Sequence, residues 1–186
     1  AGAKLANIDF PSDLTASGFT NSVSNNVLTG AGLSLAINGA NVDLNGNDLI
    51  LNSAATSSKY SANRLVITDN SITGQVGKQG VSSQFTFPVG IAAHDYTPAT
   101  ITSAASATVH VSVQDYSSPV PPVTNPATGI YRDWHIYADA DGTIQALSLA
   151  HNAATDGTNF NWQQSYITDY TAGSWSTHGA YDASSD

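Results

Sequence analysis

The sequence predicts an all-β fold, a β-sandwich preceded by a smaller N-terminal β unit of short strands punctuated by Asn and Gly. Three observations carry that prediction. Charged residues make up only 10% of the chain and no Glu occurs among its 14 acidic residues. Glu, Lys and Arg are the usual residues of exposed helix faces, so their scarcity removes long helices from the expectation. In their place stand Thr, which favours strands, and Ser, Asn and Gly, which favour turns. Finally, apolar residues recur at period two in short runs bounded by turn residues, the pattern of half-buried strands.

The elements follow in order. Residues 1–30 are small and polar, with Phe10-Pro11-Ser12-Asp13 and Ser17-Gly18-Phe19 as loops between short extended pieces. Leu33, Leu35 and Ile37 alternate with Ser34 and Ala36, and Asn38-Gly39 ends the run. Val42 and Leu44 flank Asp43, Asn45-Gly46 makes a second turn, and Leu49-Ile50-Leu51 opens a third run. Asn-Gly between alternating hydrophobics signals a hairpin or a tight corner, and the turn spacing fits hairpins and stacked solenoid-like coils alike. Gly74-Gln75-Val76-Gly77-Lys78-Gln79-Gly80 lacks phosphate-loop spacing and reads as a flexible turn.

Further strands are expected at 64–68, 83–89, 96–101, 107–113, 130–138, 143–151 and 165–170. Between 117 and 128 lie four of the seven prolines, which marks a stiff connection outside any sheet centre. The expected division is an N-terminal unit over 1–80 and a sandwich over 81–186, packed as one body.

Charge and composition limit the function. A net charge of -9 opposes nucleic acid and anionic membranes, which carry the same sign. No apolar run of spanning length occurs, so membrane insertion is not expected. With no Cys and no Met, disulfides, thiolate metal sites and thiol nucleophiles are absent. A chain without oxidisable sulfur suits an extracellular setting. The start carries no leader pattern, so Ala1 is expected to follow a removed signal peptide.

Candidate chemistry is sparse. Asp139-Ala140-Asp141-Gly142 offers alternating carboxylates at a tight turn, which makes Asp139 and Asp141 the candidate Ca²⁺ ligands. The same residues also make an ordinary β-turn, and no other cofactor is expected. Asp133 and His135 share one strand face, read as a solvated pair, with Trp134 as a core anchor on the other. A site gathering His110, His135 and His151 is the remaining histidine arrangement. No nucleophile elbow occurs, and nothing marks a pair of Asp residues for glycoside hydrolysis. An enzyme is therefore not the expectation. Trp162 and Tyr166 are candidate sugar-stacking residues, whereas Tyr170 and Trp175 read as core.

The order of motifs resembles a known group of domains. Val42-Asp43-Leu44-Asn45-Gly46-Asn47-Asp48-Leu49-Ile50-Leu51 leads to Leu65-Val66-Ile67-Thr68, then Phe85-Thr86-Phe87-Pro88-Val89-Gly90 and Tyr96-Thr97-Pro98-Ala99-Thr100-Ile101. A Val-rich strand, Trp134-His135-Ile136, and a late strand ending in Tyr170 and Trp175 complete it. Over roughly residues 30–178 this is similar to the repeated β-domains of Bacteroidetes secreted and cell-surface proteins, many of them exported by the type IX system. The resemblance implies an extracellular adhesin-like module with no family active site. Such domains usually sit in longer chains with a C-terminal sorting domain, and this chain ends at Asp186.

The resulting expectation is a structural or adhesive surface protein whose partners are copies of itself or other surface proteins. Its low charge leaves sheet edges poorly guarded. The segment 1–18, with Ala1, Leu5, Ile8 and Phe10, is the candidate to add as a strand to a neighbouring subunit and build a filament. The alternative from another class is a carbohydrate-binding module of a secreted protein, with glycan as partner.

Overall fold

The computed structural model describes residues 20–22, 27–30, 33–34, 41–58, 60–103, 107–115, 126–140, 144–171 and 173–178. Among them the regular elements are sixteen strands and three short 3-10 turns. The fold is all-β. Its first part is a stack of parallel coils with three strands per coil.

The first coil is β1 (Thr20–Ser22), β2 (Val27–Gly30) and β3 (Leu33–Ser34). The second is β4 (Asn41–Asp43), β5 (Asp48–Leu51) and β6 (Ser57–Ser58). The third is β7 (Val66–Ile67), β8 (Val76–Lys78) and β9 (Phe85–Phe87), and β10 (Val89–Gly90) opens a fourth. Strands of one coil lie parallel to their counterparts in the next, β6 and β9 excepted: Thr20 beside Asn41, Val42 beside Val66, Val66 beside Val89, and Leu49 beside Val76. The repeat is about two dozen residues, within the range of solenoid coils.

The Asn-Gly signal is thereby resolved in favour of a corner. Asn45 (φ 48°) and Gly46 (φ 75°) both take left-handed backbone, as a tight hairpin turn would require. Yet β4 and β5 belong to different sheets, and each finds its partner a coil away. The corner repeats at Asp69 (φ 56°) and Asn70 (φ 53°), and Asp69 Oδ2 accepts the Gly46 amide at 3.2 Å. Burial and the neighbouring Asp43 carboxylate raise the Asp69 pKa. The segment 38–39 lies outside the described residues.

After β10 the chain adds antiparallel strands: β11 (Ala99–Ser103), β12 (Val109–Gln114), β13 (Asp133–Ala138), β14 (Ile144–Leu149), β15 (Ile167–Thr171) and β16 (Ser174–His178). Strands β12 and β13 extend the sheet of β2, β5 and β8, giving the order β13-β12-β8-β5-β2. Strands β11 and β14 continue from β9 in the order β14-β11-β9. Among the described residues the last two, β15 and β16, pair only with each other.

One core runs through coils and antiparallel strands. Val42, Leu44, Leu49, Leu51, Val66 and Val76 pack with Phe85, Phe87, Val89, Ile101, Val109, Val111 and Val113. Each such side chain contributes about 1.5–3 kcal/mol by leaving water. Two of the polar side chains that enter it cross-link its parts. Thr68, fully buried, donates from Oγ1 to the Val113 carbonyl at 2.9 Å and ties the coil stack to β12. Asn41 Oδ1 accepts the Leu65 amide at 3.1 Å.

The segment 74–80, expected to be a flexible turn, contains β8 at its centre, and Val76, Gly77 and Lys78 are all buried. Gly77 is needed there because Ile50 and His110 close over it. A Cβ would stand 2.4 Å from Ile50 Cδ1 and 3.1 Å from His110 Nδ1. Lys78 donates from Nζ to the Ser53 and Gln79 carbonyls, both at 2.8 Å. Desolvation lowers its pKa.

Pro88, Val89 and Gly90 turn the chain from one sheet to the next, and loop 91–98 folds back upon them. The Pro88 and Gly90 carbonyls accept the Val66 and Thr68 amides, and Thr97 donates to the Val89 carbonyl at 3.0 Å. Arg132 holds this loop in place. Its Nη2 and Nε reach Asp95 Oδ1 and Oδ2 at 2.8 and 3.1 Å, a bidentate pair with side chains only 11% and 13% exposed.

Candidate binding surfaces

Three surfaces bear on function. The first is the outward face of the β13-β12-β8-β5 sheet. Register places Ile50, Gly77, His110 and Tyr137 in one cross-strand row. Asp48, Gln75, Ser112 and His135 form the next row by the same pairing. This face is closed over by its own side chains. The Tyr137 ring stacks on His110 at 4.6 Å with 2° between planes, and His135 lies 5.4 Å from Tyr137.

His110 Nε2 meets Asp139 Oδ1 at 3.0 Å, and Gln75 Nε2 donates to His135 Nδ1 at 2.9 Å. Gln114 Nε2 donates to Asp133 Oδ2 at 2.9 Å. The expected solvated pair is thus corrected: Asp133 and His135 are half-buried, Asp133 bonded to Gln114 of the adjacent β12 and His135 to Gln75, just before β8. Trp134 does anchor the core, with Nε1 donating to the Thr97 carbonyl at 2.9 Å.

Of the three histidines weighed as one arrangement, His110 and His135 gather around Tyr137. His151 instead pairs with Asp156 at 2.8 Å and stands edge-on to Phe160. Ser112 Oγ and His110 Nδ1 are buried without a hydrogen-bond partner among the described residues. Since neither histidine bonds Ser112, the row makes no nucleophile–base dyad here.

Asp139, an exposed candidate Ca²⁺ ligand, is engaged with His110, and Asp141 lies outside the described residues. Among the described residues no group of three or more His or Asp side chains is placed to hold a metal ion.

Burial lowers the His135 pKa, opposed by the Asp133 carboxylate. Its folded value therefore lies below the ordinary 6.5, and the folded state resists the proton that the unfolded chain accepts. Stability should fall as pH drops from about 6.5 through the lower folded pKa. Urea midpoints measured down that range will decline more for the wild type than for His135→Gln. Equal slopes would show that His135 does not couple folding to pH.

The second surface is the edge of the β14-β11-β9 sheet. The inner face of this sheet is Phe85, Ile101 and Leu147 in one row and Phe87, Ala99 and Leu149 in the next. The outer face carries Thr86, Thr100 and Ser148, with Thr86 and Thr100 hydroxyls 3.0 Å apart. Strand β14 is Ile144-Gln145-Ala146-Leu147-Ser148-Leu149, with no charge and no proline. Ile144 is 44% exposed, and among the described residues no strand pairs with the outer edge of β14. The other long edge strand, β13, begins with Asp133 and is followed by Asp139.

The third surface is the β15–β16 hairpin with the turn before it. Trp162 is 45% and Tyr166 60% exposed. Tyr170 is corrected from core to surface at 42% exposure, with Trp175 half-buried beside it at 5.2 Å. Asp169 accepts from Ser176 Oγ, from His178 Nε2 at 2.6 Å and from Thr171 Oγ1 at 3.1 Å. These hydrogen bonds hold its carboxyl below the usual carboxylate range. The candidate assembly residues Ala1, Leu5, Ile8 and Phe10 lie outside the described residues.

Comparison with models of known protein families, with curated proteins and with solved structures finds no match.

Proposed function

We propose that the chain is an extracellular structural or adhesive surface protein that joins to copies of itself by strand addition, with β14 as the receiving edge. The uncharged edge of β14, unpaired among the described residues, carries this reading. An exposed edge strand presents a row of open N–H and C=O groups, and proteins normally block it with Lys, Pro or inward charges. Here six consecutive residues lack any such guard. The donor is the N-terminal segment of the next copy, where Ile8 and Phe10 alternate with Asn7 and Asp9 as an added strand requires. Placement outside the cell is supported by the absence of sulfur and by the resemblance over residues 30–178.

Electron microscopy and sedimentation test this. The intact chain should form filaments or discrete oligomers as its concentration rises. Deleting residues 1–18, or placing lysines on the solvent face of β14 with Ala146→Lys and Ser148→Lys, should leave monomers. A chain that is monomeric at every concentration would overturn the proposal, as would assemblies indifferent to both changes.

A further inference from the structure

We propose that one face of the β15–β16 hairpin binds a neutral polysaccharide, a role separate from assembly at β14. Pairing places Tyr170 opposite Trp175 and Thr168 opposite Thr177. Their side chains share a face, since Tyr170 and Trp175 are in ring contact and the Thr pair is two residues along each strand. Tyr166 continues the same alternation just before β15.

The result is a ridge of Tyr, Thr and Tyr beside Trp and Thr, exposed at Tyr166, Thr168, Tyr170 and Thr177. Among the described residues of the hairpin no charged side chain stands on it. The hairpin's Asp169 and His178 are bonded to each other on the opposite face. Rings backed by hydroxyls match a sugar chain, whose C–H faces stack on aromatics while its hydroxyls exchange hydrogen bonds with Thr and Tyr. The lack of charge selects a neutral chain over an acidic one.

Size argues against a protein occupant. Each strand has five residues, so this face measures about 17 Å by about 10 Å, far below the roughly 800 Å² per partner of a stable protein interface. A short stretch of polysaccharide fits that area. Trp162 lies on the preceding 3-10 turn, off the ridge.

The test is retention of the full chain by cellulose, chitin and soluble β-glucan, with alginate as an acidic polysaccharide and phosphatidylcholine vesicles as an apolar surface. At least one neutral polysaccharide should retain it, and alginate and vesicles should not. Tyr166→Ala with Tyr170→Ala should weaken retention tenfold or more. Tyr166→Phe with Tyr170→Phe, which keeps the stacking rings, should recover most of it, and Trp162→Ala should stay within twofold. Retention by none of the neutral polysaccharides, retention by alginate or vesicles instead, or loss on Trp162→Ala alone would each overturn the proposal. The oligomeric state of the same variants, read by sedimentation, reports separately on assembly.

Discussion

Gly90→Ala is expected to cost about 3–5 kcal/mol and to leave much of the chain unfolded or insoluble, because backbone must move to admit one methyl group. A Cβ at this position would lie 1.8 Å from the Asp95 carbonyl oxygen and 2.8 Å from Leu65 Cδ1. The Leu65 side chain could turn away, but the Asp95 carbonyl belongs to a loop fixed at both ends. Thr97 bonds back to Val89, and the Asp95 side chain is clamped by Arg132. The Gly90 carbonyl also receives the Thr68 amide, so a shift of the strand disturbs the coil beneath it. Urea melts of the purified variant, with soluble yield alongside, check this. A midpoint equal to that of the wild type would mean that loop 91–98 is free to move aside.

The same loop gives the second large effect. Arg132→Ala should cost about 3 kcal/mol, since it leaves a largely buried carboxylate with no counter-charge. Among the described residues Asp95 keeps only the Ile91 amide, 3.2 Å from Oδ2, as a remaining donor. Arg132→Lys should recover little, because an ammonium cannot reproduce the two parallel bonds from Nε and Nη2. Removing both charges with Asp95→Leu and Arg132→Met should be milder than Arg132→Ala alone, as expected when an apolar pair replaces a buried ion pair. It will fall short of the wild type because the Ile91 amide loses its acceptor. Denaturant midpoints of the three variants give the order directly.

Both predictions concern the segment 85–98, where residues 96–98, expected to open a strand, belong instead to the loop before β11; the period is legible at β9 and again at β12. Phe85 and Phe87 alternate with Thr86, and Val109, Val111 and Val113 alternate with His110 and Ser112. In each case the apolar set faces the core, and the period alone identifies that face. The opposite face of β12 was not legible. His110 and Ser112 are polar at surface positions of the pattern, yet both are buried, because Tyr137 and His135 from β13 lie beside them in register. That pairing joins residues more than twenty positions apart and leaves no local trace.

Turns show the same division between local and distant causes. Asn45-Gly46 is readable as a left-handed turn, and its backbone is of that kind. Whether it closes a hairpin or a coil corner depends on the partner of β4, which is β7 rather than β5. Strand β8 was hidden by Gly77 and Lys78, two residues usually found outside buried strands. It exists because neighbouring side chains cover the glycine and two backbone carbonyls receive the lysine. Strand β16 was hidden because Ser174–His178 has one apolar residue, Trp175, and no alternation to read. The exposure of Tyr170 follows from that hairpin pairing only with itself, a property of topology rather than of composition.

Amide hydrogen exchange of the intact chain, compared between dilute and concentrated solution, tests strand addition at β14 most directly. In the dilute chain, alternate amides of Ile144–Leu149 face outward and should exchange quickly, while those bonded to β11 stay protected. On concentration the outward set should gain protection together with amides of residues 1–18. Protection that appears elsewhere while the outward amides of β14 stay fast, or a β14 edge already protected in the monomer, would contradict the account.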